Sequence, residues 1–371
     1  MVEELGSAYT QRLAAAYPAV GGVSDYVCYW FPKAHDHLAK GGRAGLVATN
    51  SVRQNESREA SLDYVVDNGG VIFDAVSTQP WSGDAKVFVS IVNWAKGIDV
   101  KPKLLWLNDG NLRLAVDRIP SSLAPTADVR SAVPLAVNQR PRVCFQGQTP
   151  GITQGYVIDE VVVDRLLESG GRSARSVIHP FLGGRELLEK TAIDRWVIDV
   201  PWGDLSDLER MPGVYQHLKQ YVLPERRRLY ERELARNEAG STHSSGYRPE
   251  SQHELFMSRW WQFWRHRTDM LNALSPLDRY IATSRVSSTS RTSVFAYVDK
   301  AVRPGDSLTA FAFDDDYSFG ILSSAVHRAW LEARCSTLKG DLRYTPTTCP
   351  FTGACEDARA APVVPGAVRR V

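Results

Sequence analysis

The sequence lacks the features that would place it in a membrane, in a disulfide framework or around a metal. Among its 371 residues no apolar run approaches the ~18 that a bilayer span needs. No basic flank followed by an apolar core opens the chain, so no secretory leader is expected and a cytoplasmic location is the default. The cysteines, Cys28, Cys144, Cys335, Cys349 and Cys355, are odd in number and scattered. Only the last two lie close together, and no second pair or nearby histidine completes a zinc site. They read as reduced thiols. Charge of one sign is also missing. The 44 Lys and Arg against 42 Asp and Glu leave a formal +2, so any nucleic-acid surface has to be a local patch. No Gly-x-Ser-x-Gly elbow precedes Ser323, which argues against a hydrolase triad of Ser323, His327 and Asp315. His327 then reads as a hydrogen-bonding partner on a helix face or a backbone contact to nucleic acid. Asp314-Asp315-Asp316 lacks the rest of a calcium loop and reads as a turn.

What is present is an ordinary globular composition, 43% hydrophobic and 23% charged, long enough for two or three domains with their own cores. Residues 3–17 carry Leu5, Tyr9, Leu13 and Ala16 on one helical face, and Pro18 ends it. Ser24-Asp25 can cap a second helix to about Leu38, with Pro32 predicting a kink or a start near Lys33. The run 45–51 reads as a short buried strand entering a polar turn in which Asn50-Ser51 can cap the next helix. A helix over 55–67 and strands over 71–76, 87–94 and 104–107 follow, the last turned by Asn108-Asp109-Gly110. This alternation, closed by a hairpin, fits the late part of an α/β sheet. The Gln79-Pro80-Trp81-Ser82-Gly83 turn then sits near the polar rim where open α/β sheets place ligands. A complete small α/β domain that begins with helices is the competing reading.

Residues 116–140 read as a linker, because Pro120, Pro125 and Pro134 break any period. A second, mixed α+β domain starts near Val143. Residues 205–236 predict two helices split by Pro224. The alternation of Glu231 and Glu233 with Arg228, Arg232 and Arg236 predicts a solvated face. The densest aromatic-basic run, 259–267, is followed by a Ser/Thr/Arg-rich tract to Arg291. Between Arg259 and Arg291 there are six Arg and two Asp. Such bunching points to Arg265, Arg267, Arg285 and Arg291 as contacts to DNA, since arginine grips phosphate and reads guanine with the same fork. Trp260, Trp261 and Trp264 fit core anchors at helical spacing better than base-stacking groups.

Several stretches together resemble the MmeI-like family of type IIL/IIG restriction-modification enzymes. They are Asp25-Tyr26-Val27-Cys28-Tyr29-Trp30-Phe31, then 45–54 and 79–85, then 319–330, and finally Arg343-Tyr344-Thr345-Pro346-Thr347-Thr348. The resemblance implies a partial Rossmann-like methyltransferase sheet over residues 1–120, from the late half of an adenine-N6 DNA methyltransferase domain. It further implies an α+β target-recognition domain over 121–300 and a C-terminal helical α/β segment over 301–348; residues 349–371 depart from the family and are expected to be a disordered tail. It implies that Trp81 stacks on a flipped base, and that Thr49 and Asn50 line the same rim, with Asn50 equally able to serve only as a cap. Lys86 and Arg53 are candidate phosphate contacts. The family's Gly-rich turn for S-adenosylmethionine and its Asn-Pro-Pro-aromatic motif are both lacking in this sequence. The expectation is therefore the C-terminal part of such a methyltransferase, which binds double-stranded DNA but neither holds S-adenosylmethionine nor transfers methyl alone; the alternatives are a stand-alone specificity module working with an N-terminal catalytic half in trans, or an inactive relic.

Overall fold

A computed structural model describes residues 7–20, 25–85, 87–125, 141–189, 191–243, 249–287, 293–338 and 341–346. Lys86, Arg291 and the tail lie outside the described residues. No helix among the described residues is long and apolar enough to cross a membrane.

The first part of the chain lays helices on one mixed sheet. Helix α1 (Ser7–Ala16) and a 3-10 turn (Tyr26–Tyr29) lead into α2 (Trp30–His37). Pro32 falls in the first turn of α2, where its missing N–H costs nothing, so the helix starts before it and not at Lys33. Strand β1 (Arg43–Thr49) is followed by α3 (Asn55–Arg58), a π-helical turn (Glu59–Asp63) and α4 (Tyr64–Asp67). Then come β2 (Gly70–Pro80), β3 (Phe88–Lys96), β4 (Lys103–Leu107) and β5 (Leu112–Val116). The strand order is β1-β3-β2-β4-β5. Strand β3 runs antiparallel to both neighbours, so β1 and β2 point the same way, and β4 is parallel to β2. Among the described residues no strand pairs with the outer edge of β1.

The core of this sheet explains why α2 packs where it does. Phe31 stacks on Trp94 at 5.5 Å, among Leu62, Val65, Ile72 and Leu105. The indole Nε1 of Trp94 can only donate, so His35 Nδ1, 3.2 Å away, accepts. His35 Nε2 then carries the proton of the neutral ring and donates to Asn68 O at 3.0 Å, tying α2 to the end of α4. The first part of the linker-like stretch is not a linker. Ile119 and Leu123 are buried in this core, and Ser121 donates to Asp63, which is paired to the buried Arg58 at 3.1 Å. The prolines broke the sequence period without removing the two apolar anchors.

The second part weaves three small sheets. It opens with β6 (Cys144–Gln146), β7 (Val157–Ile158), α5 (Glu160–Arg175), β8 (Ile178–Leu182), α6 (Gly184–Glu189) and β9 (Trp196–Ile198). Helices α7 (Leu205–Glu209), α8 (Pro212–Tyr221), α9 (Leu223–His243), α10 (Gln252–Ser258) and α11 (Thr268–Leu274) follow. Strands β10 (Arg279–Ser284), β11 (Val286–Ser287), β12 (Phe295–Asp299), β13 (Arg303–Pro304) and β14 (Leu308–Phe311) come next. The described residues end with α12 (Asp316–Leu322), α13 (Ala325–Arg334), β15 (Ser336–Leu338) and β16 (Asp341–Arg343).

The sheet β12-β10-β14-β6 is buried on both faces, and the period of two along β10 decides which side chain goes where. Tyr280 and Ala282 join Phe145, Met270 and Leu308 on one side; Ile281 joins Phe295, Phe311 and Tyr344 on the other. Strand β14, past residue 300, pairs with β10 and with β6, so it completes a sheet begun at residue 144. Trp260, Trp261 and Phe263 are buried in the core of the sheet β13-β8-β9-β7. The charged face of α9 departs from expectation. Glu233 is buried and accepts from the backbone N–H groups of His253 (2.8 Å) and Glu254 (3.0 Å) at the start of α10. A carboxylate at a helix N-terminus satisfies donors that have no intrahelical partner; sign alternation in sequence cannot reveal that a second helix covers it. Cys28 and Cys144 are free and buried.

Replacing Arg58 by Ala is expected to destabilise the protein by about 3 kcal/mol or more, because it strands the Asp63 carboxylate under the sheet. Urea unfolding of the two proteins measures the difference. An unchanged midpoint contradicts the role given to this pair.

Candidate functional site

Two surfaces collect the residues singled out by sequence. The first is an apolar cleft of about 660 Å³ at the end of β1, lined by Asp25, Tyr26, Val47, Thr49, Trp81 and Val87 among others. Asp25 organises its rim. Its Oδ2 accepts from Thr49 Oγ1 at 3.1 Å and from Ser51 Oγ at 2.7 Å, and the two hydroxyls lie 2.7 Å apart. Asp25 therefore does not cap the helix after it through its side chain. Asn50 begins a 3-10 turn (Asn50–Arg53), so the cap position falls on Thr49, whose hydroxyl is turned to Asp25 instead. Trp81 sits at the tip of the β2–β3 hairpin, 45% exposed, with its N–H bonded to Val87 O at 2.9 Å. Its indole lies over Gly83: a Cβ there would come within 2.5 Å of Trp81 Nε1. Trp81 and Thr49 thus share one cleft. Arg53 is turned inward, its Nε donating to Thr78 Oγ1 at 3.2 Å, and burial lowers its pKa to about 10.

The second surface is basic, and the structure sorts the arginines of the run. Arg259 lies over the Trp202 ring at 4.6 Å. Arg279 is paired with Asp316 at 3.2 Å and lies 3.6 Å over Tyr297. Both serve local packing. Arg265 is exposed on a segment whose backbone is pinned both ways to Thr149 at 3.0 Å. Arg267 adopts a left-handed backbone (φ 62°), uncommon for a residue with a Cβ. Its Nη2 donates to Gln146 Oε1 at 3.0 Å, and its buried Nε has no acceptor among the described residues. Arg285 donates through Nη1 to Asp306 O at 2.9 Å, and its Nε likewise lacks an acceptor there. Burial, and then repulsion by like charges, holds both below the usual arginine range: Arg285 beside Arg343 and Arg267, and Arg267 beside Arg265 and Arg142. Asp306 opposes this at both.

Arg343 is the residue that sequence reasoning missed as a contact. It is exposed, and β16 pairs with β11 so that Arg343 lies opposite Val286, next to Arg285. The motif that begins at Arg343 carried the resemblance but did not mark it as a contact; the signal for that is a strand pairing between distant segments. Neither Arg265, Arg267, Arg285 nor Arg343 has a carboxylate within 4.0 Å among the described residues, unlike Arg279, Arg142 or Arg303. His327 is not on this surface. It is buried, with Nε2 3.1 Å from Tyr344 Oη, and burial lowers its pKa to about 4. No group of three or more potential metal ligands occurs among the described residues.

Residues 262–352, which take in Arg265, Arg267, Arg285 and Arg343, match the family described as MmeI, target recognition domain. The structure also superposes on the type IIL restriction-modification enzyme MmeI, solved in complex with DNA, with a TM-score of 0.68 at 20% identity. The match covers 91% of this chain and 43% of the MmeI chain. The chain shares the fold of MmeI. It spans less than half of MmeI's length, and the likeness runs through both parts described here. The resemblance read from the motifs is therefore borne out. A superposition on the type IIG restriction endonuclease BpuSI, 10% identical over 95% of this chain and 46% of that one, reaches a TM-score of only 0.29 and carries no weight. No curated protein matches.

Behind the basic surface lies a buried carboxylate, Asp199. It is 2.9 Å from Arg303 Nε, 3.0 Å from His266 Nε2 and 3.2 Å from Gln148 Nε2. Burial pushes its pKa up, but His266 and Arg303 outweigh that and hold it below the usual carboxylate range. Arg303 Nη2 donates to His179 Nε2 at 3.2 Å. Burial first, and Arg303 second, lower the pKa of His179 to about 4 against the pull of Asp199. The fold thus favours neutral His179. That contribution is present above the unfolded value of about 6.5 and is lost as pH falls toward about 4. Stability measured by urea midpoint should drop across this window, and His179→Gln should make the drop smaller. An identical drop in the variant contradicts this account.

Proposed function

We propose that the chain is the DNA-recognition part of an MmeI-like restriction-modification enzyme, gripping double-stranded DNA through Arg265, Arg267 and Arg285. The observation that carries the reading is a group of guanidiniums with no carboxylate within 4.0 Å among the described residues, inside the segment that matches a target recognition domain. Like charges kept together cost free energy in the free protein, and a polyanion removes that cost while releasing its counterions. The chain as a whole is nearly neutral, so attraction to DNA is local to this face and fixes which side of the lobe meets the duplex.

The sheet of residues 1–120 is read as the late part of an adenine-N6 methyltransferase domain, with recognition elements over 121–300 and 301–348. Support comes from the parallel β1 and β2 flanking an antiparallel β3, and from an aromatic at the rim of an apolar cleft. Trp81 offers an exposed ring to a base swung out of the duplex, with Tyr26 and Val47 beside it and Thr49 held in place by Asp25. The cleft does not fit S-adenosylmethionine. Its lining is mostly apolar, its polar side-chain groups being those of Asp25, Thr49, Tyr26 and Trp81, and the Asp25 carboxylate is already engaged by two hydroxyls. A second reading, in which a catalytic half is supplied in trans, is favoured by the edge of β1, which no strand covers among the described residues, and by the exposed Val47 on that strand.

Duplex binding measured against salt tests the main reading. Arg265→Gln, Arg267→Gln and Arg285→Gln should each flatten the slope of log K against log salt by about 0.9 per lost phosphate contact. Absence of duplex binding at low salt by the folded wild-type chain overturns it. The same chain with labelled S-adenosylmethionine should leave DNA unlabelled; transfer of label contradicts the assignment of recognition without catalysis.

A further inference from the structure

A second cleft, of about 640 Å³, lies between α6 and the β11–β16 pair and is lined by Arg185, Glu189, Ser284, Arg285, Ser307 and Arg343. Three guanidiniums face one carboxylate. Two of them are forced together by backbone: Tyr344 N–H donates to Arg285 O at 2.7 Å, and Arg285 N–H to Ser307 O at 2.8 Å. Arg343 and Arg285 therefore cannot separate without breaking strand pairing. Arg285 Nε has no acceptor among the described residues. Ser307 Oγ accepts from Gly184 N–H at 2.9 Å, which leaves its own proton to offer. Arg185 is tied to Glu189 at 3.0 Å, but that pair is exposed (82% and 50%), a kind of contact that exchanges readily for a stronger one.

We propose that this cleft seats one backbone phosphate of the DNA, gripped by Arg285 and Arg343 and closed by Arg185 as it leaves Glu189; the assignment rests on the DNA-binding reading above. A phosphate fits better than a base edge. Guanidinium forks arriving from two different elements need a group with several oxygens spread around one centre, whereas a base edge presents its acceptors in one plane. Glu189 is then a competitor for Arg185 and a negative charge beside the ligand, so its removal should help binding and not hurt it.

The test is anisotropy of a fluorescent mixed-sequence duplex with the whole chain across a salt series. Arg343→Gln should weaken binding about eight-fold near 0.1 M salt and flatten the slope by about 0.9, with the loss fading toward 1 M. Arg343→Lys should restore part of the affinity, and circular dichroism should show all variants folded. Glu189→Gln should bind more tightly than wild type. If Arg343→Gln and Glu189→Gln bind as wild type while Arg265→Gln and Arg267→Gln are weakened, the cleft assignment fails and DNA binding stands. A loss in Arg343→Gln that appears on one duplex sequence and not on others also overturns it, in favour of base contact. A wild-type chain that binds no duplex sinks both readings.

Discussion

The carboxylate of Asp199 stands where the segments of the second part meet, and much of the basic surface depends on it. It joins Arg303 of β13, His266 before α11 and Gln148 after β6. Gln148 also donates to His266 O at 2.9 Å, and the next residue, Thr149, pairs with Arg265. The turn that carries Arg265 and the left-handed Arg267 is thus hung on one buried anion. A buried carboxylate survives only when its partners are close, and here they come from three separate stretches of chain. The same requirement that keeps Asp199 charged fixes the strands and the turn around it.

The consequence is a surface on which several arginines stand close together with no carboxylate within 4.0 Å among the described residues. Arg303 is consumed by Asp199, and Arg279 by Asp316. Arg265, Arg267, Arg285 and Arg343 are not, and two of them retain Nε–H groups without acceptors among the described residues. In the first part of the chain the chemistry is of the opposite kind: an apolar cleft with an exposed indole and a single carboxylate spent on ordering its rim. One surface suits a charged backbone and the other a flat, poorly charged ring.

Much of the layout was legible in the sequence because it is written in local patterns. The strand at 43–49, the 55–67 helix and the hairpin with Trp81 at its tip follow from apolar runs and from Gly and Asn punctuation. Trp260 and Trp261 are buried, as their size implies, but they lie in the turn between α10 and α11, so the helical spacing read for them does not hold. What was not legible depends on pairings between distant segments. Glu233 looked solvated because nothing near it in sequence announces the helix end that it caps. Arg343 stood outside the arginine-rich run and joins it only through β11 and β16. The stretch 117–125 looked like a linker, yet Ile119 and Leu123 seal the first core. Arg259 and Arg279 counted toward a basic patch in sequence, but stacking and an acid partner withdraw them.

Arginine side-chain NMR tests the central claim most directly, because it reads the Nε–H groups themselves. On titration with duplex DNA, the Nε–H signals of Arg267 and Arg285 should shift, while that of Arg303, already bonded to Asp199, should stay in place. Binding that leaves the Arg267 and Arg285 signals unmoved, or that moves Arg303 equally, would contradict the account.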